Sequence, residues 1–259
     1  MKTIYLPILM YHKITDNEKK DNYDVTIKSF EEQIRYLYQN SFKTIIPEDV
    51  PRLSENNDIK LIMISFDDGY ETDYTIALPM LRKYGFKGVS FVTTGFLGKD
   101  GYMNWGQIQK LKEGGFSIQS HTHTHSLLKA THGGNIKQEL SISKKSIEER
   151  LKSKVISLSL PGGSYSKKVR TIALELGYRY IFNSKPYVNI INNSAIDIFY
   201  RTIITRGIAL EKFKKIVNLD KRTYKQAKLS YFVKHIFKIC VGIKRYYRLW
   251  NKYNKRGEK

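Results

Sequence analysis

The sequence predicts an α/β protein built on a parallel sheet, and three observations carry that expectation. Short apolar runs of strand character alternate with stretches of helical period, the mark of repeated βαβ units. The chain has 259 residues, 41% of them hydrophobic, enough for one sizeable core with an appendage but hardly for two full domains. A (β/α) barrel lies within that length, and no internal repeat or low-complexity linker interrupts it.

Taken in order, Pro7-Ile8-Leu9-Met10-Tyr11-His12 reads as the first strand. A helix is expected over 27–40, with Phe30, Ile34, Leu37 and Tyr38 on one stripe, and a strand over 42–46. Leu61 to Phe66 is a short apolar run followed at once by a Gly turn, the profile of a buried parallel strand. A helix around 74–84, a strand over 88–93 and a short helix over 105–112 follow. Phe116 to Ser120 reads as a less apolar strand, 135–152 as a long helix of exposed appearance, and 155–160 as the strand leading to Pro161. A helix over 166–176 stopped by Gly177, then strands over 180–182 and 199–204, complete the body. The expected division is 1–220 as barrel and 221–259 as a basic amphipathic helical tail.

Chemistry concentrates at two strand ends. Asp67 and Asp68 close the Leu61 strand at its C-terminal end, where α/β folds keep their sites, and the 116–120 strand delivers His121 to the same edge. His121 and His125 are four apart, a spacing that on a helical turn sets both rings on one face. A catalytic zinc takes three N or O ligands and leaves a fourth position for water, and one Asp with two His meets that count. Asp-Asp-Gly is also ordinary turn composition, and His-rich tracts also sit on exposed loops. Their occurrence together at strand ends of one α/β chain favours a metal site.

Ser65-Phe66-Asp67-Asp68-Gly69 resembles the T/S-F-D-D-G motif, and His121 to His125 the H-S/T-x-x-H motif, of the polysaccharide deacetylases with a NodB-homology domain, carbohydrate esterase family 4. The resemblance implies a distorted (β/α) barrel of the NodB-homology type, with Asp67 as general base and Asp68, His121 and His125 as metal ligands. His123 falls between the ligand positions. Leu160-Pro161-Gly162-Gly163 resembles the third motif, R-x-P-Y/F-G, with Ser159 in place of the Arg and Gly162 in place of the aromatic residue. The main-chain N–H of Gly162 would keep the oxyanion role that the family gives this position. Arg201 is the candidate replacement for the missing Arg, and it is grouped with Pro161 and Trp105 as facing substrate. Trp105 is chosen because sugars stack on aromatic faces, against the competing reading of a core Trp.

The family's downstream acid motif, L/I-x-x-H-D, is absent, since after His132 the only histidine is His235. Residues 7–12 resemble instead the N-terminal strand of the subgroup that deacetylates poly-N-acetylglucosamine, in which a Tyr-His near the start supplies the acid, here His12. The resemblance therefore implies a metal-dependent hydrolase that removes acetyl groups from N-acetylated sugars of a polysaccharide or lipid-linked saccharide. Zinc is the default for two imidazoles and a carboxylate, although Co, Ni or Fe would fit. Two other readings stand beside it: an inactive saccharide-binding protein on the same fold, suggested by Ser159 and Gly162, and a membrane-associated adaptor acting through the tail.

Charge is uneven. Of the net +21, +12 lies in residues 221–259, which hold 13 Lys or Arg against Glu258 alone. Leu229, Phe232, Val233, Ile236, Phe237, Cys240, Ile243, Tyr247 and Trp250 recur at helical spacing, with Lys234, Lys238, Arg245, Arg248 and Lys252 on one flank. Such a helix suits an anionic membrane surface, against the competing expectation that the stripe docks on the barrel or a second copy. A nucleic-acid role is not expected, because it would leave the Asp and His residues without purpose. The single cysteine, Cys240, excludes an internal disulfide. The N-terminal run, broken by Pro7, is too short for a signal peptide, and no run of 18 apolar residues occurs, so a cytoplasmic protein, peripheral on the inner face of the membrane, is expected.

Overall fold

The computed structural model describes residues 3–16, 21–53, 59–163, 165–191 and 197–241. Strand β1 (Ile4–Leu6) stops at Pro7, which has no N–H to give a ladder, and β2 (Ile8–Tyr11) resumes beyond it. The strand expected over 7–12 is β2, and β1 lies before it. Helix α1 (Ile27–Gln39) starts at Thr26, whose side chain accepts from the Ser29 N–H, and it buries Phe30, Ile34 and Leu37. Strands β3 (Phe42–Thr44) and β4 (Lys60–Asp68) follow, then a π-type turn over Asp73–Ala77 that runs into α2 (Leu78–Lys83). Next come β5 (Val89–Val92), α3 (Trp105–Glu113), β6 (Ser117–Ser120), α4 (Gly133–Leu151), β7 (Ser157–Ser159), α5 (Lys167–Glu175) and β8 (Tyr180–Asn183). The chain closes with β9 (Asn189–Ile191), β10 (Ile198–Tyr200), β11 (Thr202–Ile203), α6 (Leu210–Val217) and α7 (Lys221–Val241).

Eight strands lie in the order β10-β8-β7-β6-β5-β4-β2-β11 with every pairing parallel, and β3 adds to the start of β4. The sheet's two edges are consecutive in sequence. Tyr200 pairs with Asn183 on one edge and Thr202 with Leu9 on the other, so the barrel closes through Arg201 rather than through a ladder. The Asn189 side chain stitches this seam, donating to the carbonyls of Leu6 and Tyr200 and accepting from the Tyr200 N–H. The single strand expected over 199–204 is therefore two half-strands with a buried side chain at the break. β9, which pairs antiparallel with β1, and α6 have no counterpart in the sequence reading.

Alternation along β4 separates two cores. Leu61 and Met63 join Leu6, Ile8, Phe91, Phe182 and Phe199 inside the barrel, while Ile62, Ile64 and Phe66 pack under the helices. Ser65 and Asp67 continue the inward set towards the C-terminal rim. Helix α4 is less exposed than its sequence suggests, because it buries Ile136, Leu140, Ser143, Ile147 and Leu151 against the sheet. The expected tail helix is present as α7; Ile243, Arg245, Tyr247, Arg248, Trp250 and Lys252 lie outside the described residues.

Candidate active site

Asp67 and Asp68 end β4, yet they occupy opposite environments. Asp67 keeps the inward direction of the strand and meets Arg201, which is fully buried. The guanidinium grips it with two parallel bonds, Nη1 to Oδ1 and Nη2 to Oδ2, each 2.7 Å. Ser159 Oγ donates to Asp67 Oδ2 at 3.0 Å and accepts from Arg201 Nη2 at 2.7 Å. Ser65 Oγ takes a further bond from Nη1 and donates to the Leu9 carbonyl. Phe91 and Phe182, whose ring centroids lie 4.9 Å apart, pack together beside the guanidinium, 5.2 and 5.9 Å from its central carbon. Burial alone would raise the Asp67 carboxyl, but the charge and hydrogen bonds of Arg201, together with the His121 and His12 imidazoles, outweigh it and hold Asp67 well below the usual carboxylate range. Arg201, the candidate replacement for the missing third-motif Arg, grips Asp67 from inside the barrel and does not face substrate, the other role expected of it.

Asp68 leaves the strand with φ +77°, a left-handed backbone that costs a non-glycine residue about 1–2 kcal/mol. Its Oδ1 lies 3.4 Å from His121 Nε2 and 3.3 Å from His125 Nε2, buried and without a hydrogen-bond partner among the described residues. One ligand atom from each of Asp68, His121 and His125 falls within 4.8 Å of the others. His121 Nδ1 lies 3.0 Å from the Ser159 carbonyl, and with a proton there Nε2 keeps its lone pair facing Asp68. Burial pushes His121 down to about 3 and lowers His125, so both rings are neutral donors at neutral pH. Burial also pushes Asp68 up to about 6, with the Asp67 charge adding to the rise and His12 and Arg201 offsetting only part of it. A carboxylate oxygen orphaned between two neutral imidazoles fits a divalent cation as the missing partner.

The histidines do not share a helical turn, as their spacing suggested. The segment after β6 is irregular, with Thr122 at φ +69° and His125 at +62°, and these two left-handed residues fold the loop so that the rings meet 5.0 Å apart. Glu139 of α4 holds the loop: Oε2 accepts from the N–H groups of His123 and Thr124 at 3.1 and 2.8 Å, and Oε1 from Thr124 Oγ1 at 2.7 Å. Ser143, one turn on, bonds Ser120 Oγ at 2.8 Å. On the other side the Gly95 N–H bonds the His123 carbonyl, and a Cβ at Gly95 would sit 2.6 Å from that oxygen, so only glycine allows the approach.

The remaining residues divide. His12 follows β2, whose last residue Tyr11 pairs with Phe66, so it stands level with Asp67. Its ring lies 5.0 Å from that of Tyr23, and its Nδ1 is buried without a partner among the described residues. Pro161 and Gly162 lie in a tight turn that begins one residue after β7, with Gly162 at φ +59°. Trp105 is not brought to the cluster. It packs against the outer core with the Arg150 guanidinium 5.5 Å over its ring. The aromatic side chains beside the histidines are others: Phe96 lies 6.0 Å from His125 and 5.0 Å from Tyr102, which stacks on Tyr70 at 4.9 Å.

Known proteins resemble this chain in sequence and in fold. A family model described as polysaccharide deacetylase matches residues 54–181. YxkH of Bacillus subtilis (strain 168), provisionally described as a polysaccharide deacetylase, is 29% identical over 188 residues, 71% of this chain and 66% of that protein. A poly-beta-1,6-N-acetyl-D-glucosamine N-deacetylase of Staphylococcus aureus is 27% identical over 199 residues, 70% of this chain and 68% of that protein. The chain thus spans about two thirds of the length of these curated relatives. The structure of the Streptococcus pyogenes deacetylase PplD in complex with acetate superposes with a TM-score of 0.76 at 25% identity, covering 83% of this chain and 99% of that one. The barrel, the motifs at its rim and these similarities together make the chain similar to polysaccharide deacetylases, a poly-N-acetylglucosamine deacetylase among them.

Proposed function

We propose that the protein is a divalent-metal hydrolase, with zinc the expected ion, that removes acetyl groups from N-acetylated sugars of a polysaccharide or lipid-linked saccharide. One observation carries the reading. An ionised Asp67, fixed by Arg201 and Ser159, stands 3.8 Å from His121 Nε2, beside the three-residue cluster of Asp68, His121 and His125.

Asp68 and the two imidazoles would hold the ion. When bound, such an ion supplies Lewis acidity, lowering the pKa of water towards about 7 and polarising an acyl oxygen. Asp67 takes the proton of the attacking water. Arg201 weakens it as a base but keeps it ionised and fixes its orientation, which matters more for a proton moved over one hydrogen bond. The Gly162 N–H donates to the developing oxyanion. His12 passes a proton to the nitrogen, because an amine leaves poorly unless protonated. With the new C–O bond formed, the oxyanion re-forms the carbonyl and its electrons expel the protonated amine as the C–N bond breaks, giving acetate and a free amino sugar; acetate is the molecule bound in the similar S. pyogenes structure. Tyr102 and Phe96 take over the sugar-stacking role expected of Trp105, and Pro161 borders the acetyl group.

The test is acetate release from N-acetylglucosamine oligomers by metal-stripped protein before and after one equivalent of zinc. Release that appears only with the ion is expected. Equal release with and without it, under chelation, would contradict the metal-dependent reading.

A further inference from the structure

We propose that the exposed face of α7 docks on an anionic lipid surface, an inference independent of the catalytic reading. Leu229, Phe232, Val233 and Ile236 recur at i, i+3, i+4 and i+7 and are 64, 59, 57 and 44% exposed. Earlier in the helix Tyr224 is buried and the Lys228 ammonium lies 4.9 Å from the Tyr187 ring centroid. The first two turns therefore anchor α7 to the barrel, and the apolar stripe begins where that contact ends. Four large side chains on one helical face, unshielded, mark a binding surface rather than scattered surface apolarity.

Charge selects the occupant. Residues 221–241 carry six Lys or Arg and no acid, and 221–259 a net +12. The first 220 residues hold 32 basic against 23 acidic side chains, a net +9. Folding the stripe back on the barrel would set +12 against +9, and pairing two copies would set +12 against +12. A nucleic acid would satisfy the cations but leave Leu229, Phe232, Val233 and Ile236 in water. An anionic headgroup layer over acyl chains satisfies both sets at once, with the helix lying in the interface plane. No helix among the described residues is long and apolar enough to cross a membrane, so the contact is peripheral.

The test is flotation of the full chain with vesicles of phosphatidylcholine alone or containing about one third phosphatidylglycerol. Binding to the anionic vesicles is expected to exceed that to neutral ones by at least about tenfold and to fall steeply in 0.5 M salt (a Debye length of about 4 Å). The double variant Phe232→Ser, Ile236→Ser keeps every charge. It should lose about tenfold in anionic binding while the barrel's thermal unfolding is unchanged. Equal partition on the two vesicle types, or anionic binding untouched by the variant, would overturn the proposal. So would a dimer in light scattering that the variant dissolves without any vesicle binding, since that would assign the stripe to a second copy.

Discussion

Asp67 and Asp68 are neighbours on one strand, both buried, and their surroundings could hardly differ more. Asp67 has a guanidinium on two bonds and a serine on a third, and it is held ionised far into acid. Asp68 has only two neutral imidazoles, carries an unpartnered oxygen and is pushed up to about 6. Pairs of titratable groups driven apart in this way mark a division of labour. A carboxylate already satisfied by a fixed cation cannot serve as a metal ligand without losing that partner, whereas one left orphaned needs a cation. Alternation along β4 sends Asp67 inward with Leu61, Met63 and Ser65 and Asp68 to the other side, where with a left-handed backbone its carboxylate meets His121 and His125.

The largest way to break this comparison is to remove the guanidinium. Arg201→Ala leaves Asp67 buried and unpaired, and a loss of about 3–5 kcal/mol in urea unfolding is expected. Acetate release should fall about 10³-fold, and Arg201→Lys, which keeps charge but not the bidentate grip, should recover stability better than rate. Intact rate in Arg201→Ala would show that Asp67 needs no such support.

A second test uses pH in metal-stripped protein. Asp68, raised to about 6 from an unfolded value of about 3.9, contributes stability that is full below about 3.9 and lost as pH rises through 6. His121, lowered to about 3 from about 6.5, acts oppositely: its contribution is full above about 6.5 and lost as pH falls towards 3. Comparison with Asp68→Asn separates the two. Relative to the parent, the variant should gain stability between pH 4 and 7 by up to about 3 kcal/mol, and zinc should stabilise only the parent. A pH-independent difference in urea midpoints would contradict the environment assigned to Asp68.

Smaller effects follow from the supports. Glu139→Gln weakens a three-bond clasp on the histidine loop without touching Asp67, so zinc affinity should drop about tenfold while the Asp67 niche, read by urea stability of the metal-free protein, stays near the parent. Trp105→Ala, at a ring that packs against the outer core beneath the Arg150 guanidinium, should change kcat/KM by less than about threefold.

The alternation of strands and helices, and the two motifs at strand ends, were legible because apolar period and residue chemistry are local signals. Asp67, Asp68, His121 and His125 could be named from sequence for that reason. The conformation of the histidine loop was not, since four-residue spacing fits both a helical turn and the loop that Thr122 and His125 make with left-handed backbones. Glu139 was missed because on an amphipathic helix it reads as one more solvated charge; only the packing of α4 against β6 brings it under the loop. Ser159 looked like a defect where an arginine is usual, yet its small hydroxyl leaves room for Arg201 to arrive from the far edge of the sheet. That arrival depends on barrel closure, which no local pattern encodes. Trp105 was misplaced because aromatic type says nothing of direction: its ring turns to Arg150, while Phe96 and Tyr102, on a loop without period, line the rim.

The division between the two carboxylates is tested most directly by titrating zinc into metal-stripped Asp67→Asn and Asp68→Asn beside the parent, with acetate release measured on the same samples. The expected result is one zinc per chain in Asp67→Asn with release reduced about 10³-fold, and loss of both binding and release in Asp68→Asn. Zinc binding lost in Asp67→Asn and kept in Asp68→Asn, or hydrolysis retained without Asp67, would contradict it.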